Sequence, residues 1–204
     1  VGSTMNVDVE YLDDATPSFS QRHPFNFQNG DTLTRVEMEA EITRAGTLYK
    51  NTTGSLFTSV GTGIDISRNV QAASYASTLY IANTAYKKCA YAGTVADWAG
   101  TPDAIPARCQ LICNWGARIV LAGDVQNPHV VNFSAVDNPL DWDFGLTTTG
   151  AAVAVPDIHE PVTALIPHAY ECLFCGTRNS LWVFRGNPTA GGVLQPFEKL
   201  LAQH

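Results

Sequence analysis

Positive charge is scarce in this chain: 12 Lys and Arg stand against 19 Asp and Glu in 204 residues, a net charge of -7. Proteins that hold nucleic acid by its phosphates need clustered cations, so this balance argues against a dedicated nucleic-acid binder. Between Arg118 and Arg178 there is no Lys or Arg, while Asp124, Asp137, Asp141, Asp143, Asp157, Glu160 and Glu171 all fall there. A solvated acidic surface is the simple reading. An acidic wall that repels a polyanion is the sharper one. Long apolar runs are also missing, so no stretch is fit to span a membrane. The N-terminus VGSTMNVDVE has no charged-then-apolar leader pattern. Five cysteines form no regular framework, which favours assembly in a reducing compartment. No phosphate-binding loop and no serine elbow occurs, so no reaction class is indicated.

What is present is β-sheet punctuation. Sixteen Gly and 11 Pro are spread along a chain that is 45% apolar and only 15% charged. That composition describes a globular fold of short strands and turns rather than a disordered one. From Leu33 to Arg44 the pattern alternates, with Val36, Met38, Ala40 and Ile42 opposed to Arg35, Glu37, Glu39 and Glu41. Period two predicts a strand with one wet face. Thr47 to Val60 is expected to pair back on it, turning at Asn51 to Gly54. In the central stretch, Ile119, Val120 and Leu121 read as a buried strand. Gly123-Asp124 and Asn127-Pro128 supply turn geometry, His129 to Val136 reads as a second strand, and Asp137-Asn138-Pro139 closes it.

Three stretches resemble one another: VQAASYASTLYIAN (70–83), CQLICNWGARIVLAGD (109–124) and VTALIPHAYECLFCGT (162–177). Each is a short apolar strand, a turn of small or polar residues and a second apolar strand, followed by an aromatic segment. Anchors at Gln71, Gln110 and Thr163 lie 39 and 53 residues apart. Repeats of about 40–50 residues containing several strands are the mark of propeller blades. The expected fold is therefore all-β, with β-propeller-like blades of short antiparallel strands. Residues 1–31 read as an irregular N-terminal arm with Asn29-Gly30 at a hairpin tip, 32–195 as the blade domain and 196–204 as a tail. A closed propeller usually has at least four blades. Either residues 33–65 supply another, or the ring is incomplete, or further chain completes it.

The run RIVLAGDVQNPHVVNFSAVDNPLDWDFG, followed by EPVTALIPH and CGTRNSLWVFRGNPTAGG, resembles a β-propeller segment of structural proteins of tailed bacteriophages. There a strand ending LAGD leads to a DWD turn, and an ITALIP strand and an NSLWVLRGDP strand follow. The resemblance covers Cys109 to Gly192, and PFEKLLAQH departs from it. It implies a non-enzymatic virion protein of the tail or nozzle, assembled in the host cytoplasm. Its partners would be other tail proteins and further copies in a homo-oligomeric ring. DNA would pass as cargo, with no membrane and no cofactor involved. Asp157, Glu160 and Glu171 would then belong to an acidic channel face. The rival reading is a propeller binding module that grips a host glycan or protein through Trp142 or Trp182. A propeller hydrolase is the third, with no residue set to support it.

Each chemical candidate has a structural explanation beside it. Asp124, Asp137, Asp141 and Asp143 resemble part of a calcium ligand set, but turn capping accounts for them more simply. Asp141→Ala is then expected to destabilise the fold by about 0.5–2 kcal/mol. Cys172 and Cys175, with Cys109 and Cys113, offer four thiolates. Residues three apart on a strand face opposite ways, so buried apolar cysteines are expected instead. His159 and His168 read as loop histidines beside Pro161 and Pro167. Trp142 and Trp182 read as packing residues between blades.

Overall fold

In the computed structural model, the described residues are 19–20, 39–42, 46–51, 57–65, 70–83, 86–90, 93–101, 103–168 and 172–197. They form sixteen strands and no helix, arranged as four four-stranded antiparallel sheets that follow one another along the chain. The first sheet contains β1 (Phe19–Ser20), β2 (Glu39–Ile42), β3 (Leu48–Asn51) and β4 (Thr58–Gly61). The second contains β5 (Gln71–Tyr75), β6 (Thr78–Ala82), β7 (Lys87–Ala90) and β8 (Val95–Asp97). The third contains β9 (Leu111–Trp115), β10 (Arg118–Ala122), β11 (Val131–Phe133) and β12 (Val153–Val155). The fourth contains β13 (Ala164–His168), β14 (Cys172–Gly176), β15 (Leu181–Arg185) and β16 (Val193–Pro196).

Every sheet is a meander in which each strand pairs with the next. This is the blade pattern of a propeller. The three similar stretches of sequence are the first two strands of the second, third and fourth sheets. The longer interval between the second and third anchors is taken up by the excursion 134–152 between β11 and β12. The first sheet draws β2 to β4 from residues 33–65 and also includes Phe19–Ser20, from the segment read as an arm. The proposed turn at 52–54, residues 33–38, the Asn29-Gly30 tip and the terminal residues 198–204 lie outside the described residues.

Consecutive sheets pack face to face and bury three separate cores. Leu48, Val60, Leu79, Ile81 and Cys89 fill the first, between the first and second sheets. Ala73, Tyr80, Ala82, Ile112, Ile119, Leu121 and Trp98 fill the next. Leu111, Cys113, Trp115, Val120, Phe133, Leu173, Cys175 and Phe184 fill the last. The alternation of side chains along a strand explains how one short ribbon serves two cores. On β10, Ile119 and Leu121 enter one core while Val120 and Ala122 enter the other, and all four are 0% exposed. The first strands β5, β9 and β13 lie side by side, and Asn114 Nδ2 donates to Ser74 O across β9 and β5 at 2.9 Å.

Two-residue turns close the leading hairpins of the second and third sheets. Between β9 and β10, Gly116 (φ 59°) and Ala117 (φ 57°) both take left-handed conformations, the geometry whose twist matches the flanking strands. Between β5 and β6, Ala76 (φ 44°) and Ser77 (φ 61°) do the same without a glycine.

Candidate functional site

Of the residues singled out by sequence, Trp142 and the Asp141/Asp143 pair share one corner, at the contact of the third sheet with the second. After β11 the chain leaves the third sheet and drives Trp142 into the core shared with the second, where it is 0% exposed. Its ring lies 6.2 Å from Trp98, and its indole N–H donates to Pro139 O at 3.0 Å. Gly100 lines the same pocket; a β-carbon there would fall 2.0 Å from Asp103 O and 3.1 Å from the Trp142 ring. The large indole thus needs a residue without a side chain opposite it.

The Asp carboxylates singled out by sequence accept hydrogen bonds from turn N–H groups and from neighbouring side chains. Asp141 accepts from Asp143 N at 3.0 Å, and Asp143 from Gly145 N at 2.8 Å. Asp124 is buried and accepts from Gln126 N at 3.0 Å and from Asn127 N at 3.2 Å and Nδ2 at 3.1 Å. Asp137 accepts the Tyr75 hydroxyl at 2.7 Å, bonding the third sheet to the second. Burial and that carboxylate push the Tyr75 phenol up to about 12. Asp124, Asp137 and the Asp141/Asp143 pair therefore sit at three separate turns, and no cluster of three or more metal-type ligands occurs among the described residues.

Arg118 supplies what the sequence reading missed. It opens β10 and is 1% exposed. Its guanidinium donates to Ser134 O, to Ala151 O at 2.6 Å, and to Asn187 Oδ1 and Thr189 Oγ1 at 3.3 Å each. Burial lowers its affinity for the proton. Thr189 Oγ1 also accepts Gly150 N at 2.9 Å. This network clamps the 134–152 excursion and the β15–β16 connection around one cation. Nothing in the run RIVLA marks its first residue as buried, because a charged residue at a strand start is ordinarily wet.

The acidic candidates separate. Asp157 is exposed, and Glu160 is half-buried with Oε2 2.9 Å from Thr177 Oγ1 and 3.3 Å from Asn179 N, steadying the β14–β15 turn. Glu171 lies outside the described residues. Trp182 is half-buried, packs on the core between the third and fourth sheets and donates to Ser180 Oγ at 2.9 Å. Trp142 has no exposed ring face for stacking a sugar, whereas Trp182 keeps part of its surface exposed.

All five cysteines are free and buried. Cys109 and Cys113 enter different cores, and Cys172 and Cys175 occupy opposite faces of β14. Burial raises the thiols of Cys109 and Cys175 to about 12 and raises Cys113 strongly as well. Such thiols stay protonated at neutral pH and are poor nucleophiles and ligands. His168 stands on β13 rather than in a loop, with its ring 6.2 Å from Phe174, whereas His159 is in a loop and exposed. No protein-family model matches the chain, and no curated protein matches it.

Proposed function

We propose that this chain is a non-enzymatic structural protein of a tailed-bacteriophage virion, a tail or nozzle component contacting neighbouring tail subunits around the DNA exit channel. The observation that carries the reading is how the motif residues are spent. Asp124, Asp141 and Asp143 hold turns, Trp142 and Trp182 pack between sheets, and Arg118 ties the third sheet to the fourth. The stretch that resembles the phage segment is thus scaffold throughout. The side-by-side strands β5, β9 and β13 read QAASY, LICNW and ALIPH, with no Lys or Arg among them. A wall of that composition would not retain passing phosphate. The test is mass spectrometry and immunogold labelling of particles assembled from the genome that encodes the chain. Stoichiometric presence with label at the tail is expected; absence from purified particles would overturn the proposal.

A further inference from the structure

The third sheet does not cover the whole of the second. On the face that carries Tyr80, the core shared with the third sheet takes Ala73, Tyr80, Ala82 and Trp98. Register continues that face outward, since Tyr80 pairs with Lys88, Thr78 with Ala90, and Lys88 with Ala96, and cross-strand partners share a face. Ala90 and Ala96 are exposed and too short to fill the space beyond Tyr80. What remains is a cleft of about 190 Å³ lined by Thr78, Tyr80, Lys88, Ala90, Thr94 and Ala96. Strand alternation sends the two lysines of β7 to opposite faces. Lys87 pairs with Asp97. Lys88 lines the cleft, half-buried, and no carboxylate pairs with it among the described residues. Burial pushes the Tyr80 phenol up, against the effect of the Thr78 hydroxyl beside it. At neutral pH its hydroxyl is therefore protonated and able to donate.

These groups define their complement. Four of the six lining side chains are polar, so the cleft does not suit an alkyl chain. Lys only donates, hydroxyls donate or accept, and no carboxylate lines the cleft; the excess of donors calls for an anion. One ammonium matches one negative charge. A dicarboxylate or a phosphate polymer would leave charge unmet, and a free amino acid would set its own ammonium against Lys88. Cavities for drug-sized ligands run to about 300–1,000 Å³, so the occupant here is smaller, a single ring. We propose that this cleft binds a hydroxylated monocarboxylate of the hexuronate class. Its carboxylate meets Lys88 Nζ, its hydroxyls meet Thr78, Tyr80 and Thr94, and the apolar face of its ring lies on Ala90 and Ala96. The site engages neither Trp142 nor Trp182, and it goes beyond the virion reading without resting on it.

Saturation-transfer NMR and calorimetric titration of the 204-residue chain with galacturonate test it, with circular dichroism as a check on folding. A dissociation constant on the order of 1 mM is expected. Galactose, acetate and inorganic phosphate should each bind at least about tenfold more weakly. Lys88→Met removes a charged hydrogen bond and should weaken galacturonate by about ten- to a hundredfold. Ala96→Leu, at an exposed position, fills the cleft without touching its charge and should abolish binding. Lys87→Met, on the opposite face, should leave binding unchanged. Should Lys88→Met fail to fold, Ala96→Leu and the exposed Thr94→Val carry the test. No saturable binding of galacturonate overturns the proposal, as does binding that survives Ala96→Leu or a folded Lys88→Met. Galactose binding as tightly would mean that the ammonium is not used, and acetate or phosphate binding as tightly would mean a general anion site; either overturns it. Presence in the virion is read separately by particle composition, so failure here and failure of the virion reading are distinguishable.

Discussion

The third and fourth sheets are built alike and end in different surroundings. Both lead with a hairpin of five-residue strands, and both carry apolar residues at successive positions rather than strict alternation. In the third sheet this satisfies two cores at once, and β10 is buried from end to end. In the fourth, Leu173, Cys175 and Phe184 face a core while Ile166, Leu181 and Val193 face outward. A continuous apolar run records burial on both faces, so the fourth sheet is written as an interior blade. The difference lies at the margins of its outward face, where Ile166, Leu181 and Val193 are exposed while Cys172 and Val183 on the same face are buried.

Matched truncations break or sharpen this comparison most strongly. Trp142→Ala and Leu121→Ala, at residues 0% exposed, should cost about 3–5 and 2–5 kcal/mol respectively. Ile166→Ala should stay within about 0.5 kcal/mol in the isolated chain. Denaturant titration of the three variants measures the contrast; a large loss at Ile166 in the monomer would show that its face is covered.

Arg118 is the next largest. Arg118→Met keeps the length of the side chain but leaves the carbonyls of Ser134 and Ala151 without their donor. A loss of about 1–3 kcal/mol is expected. A cycle with Thr189→Val should show coupling of about 0.5–3 kcal/mol, because Arg118 Nη2 bonds that hydroxyl. Additive losses would mean that the cation does not join the third sheet to the fourth.

Alkaline pH tests the cores those sheets share. Cys109 and Cys175 are raised from 9.0 to about 12, and Cys113 is raised too. The unfolded chain therefore releases protons that the folded chain retains, and stability falls as pH rises. Their contribution is fully present below about pH 9, the ordinary thiol value, and is lost as pH rises through the folded-state values. Thermal midpoints across that range should decline, and Cys175→Ala should flatten the decline. An unchanged slope would place the alkaline loss elsewhere.

Much of this architecture was legible because it repeats. Period two and the anchors at Gln71, Gln110 and Thr163 locate three leading hairpins, and short apolar runs between turn residues locate the sheets. The outer strands were harder. Val153–Val155 is three residues long and follows a loop, and its neighbour Val131–Phe133 is shorter than the apolar run around it suggests. Pairing partners rather than local propensity decide such strands. At the corner, Asp141-Trp142-Asp143 announces a capped turn with an inward indole, since both roles are local. The Arg118 clamp was not legible, because its acceptors lie 16 to 71 residues away and two of them are backbone carbonyls. Position Asp137 was readable as a turn residue but not as the acceptor for Tyr75, 62 residues earlier.

The smallest expected effects come from the turns, where the two sheets use different devices. The third sheet's β9–β10 turn relies on backbone conformation, with Gly116 free to adopt positive φ and Ala117 held there at 57°. A left-handed alanine costs about 1–2 kcal/mol, and added chain entropy from a glycine takes back about 0.5–1. Ala117→Gly should therefore stabilise by about 0.5 kcal/mol. The fourth sheet's β14–β15 turn relies on a side chain: Thr177 Oγ1 accepts Ser180 N at 2.9 Å and lies 2.9 Å from Glu160 Oε2. Thr177→Val deletes these bonds without changing backbone preference, and should destabilise by about 1 kcal/mol. Opposite signs at equivalent depth in two related sheets would mean that strain limits one turn and hydrogen bonding the other. A stabilising Thr177→Val would show instead that the Glu160 contact contributes nothing, and that the fourth sheet's turn is held, like the third's, by its backbone alone.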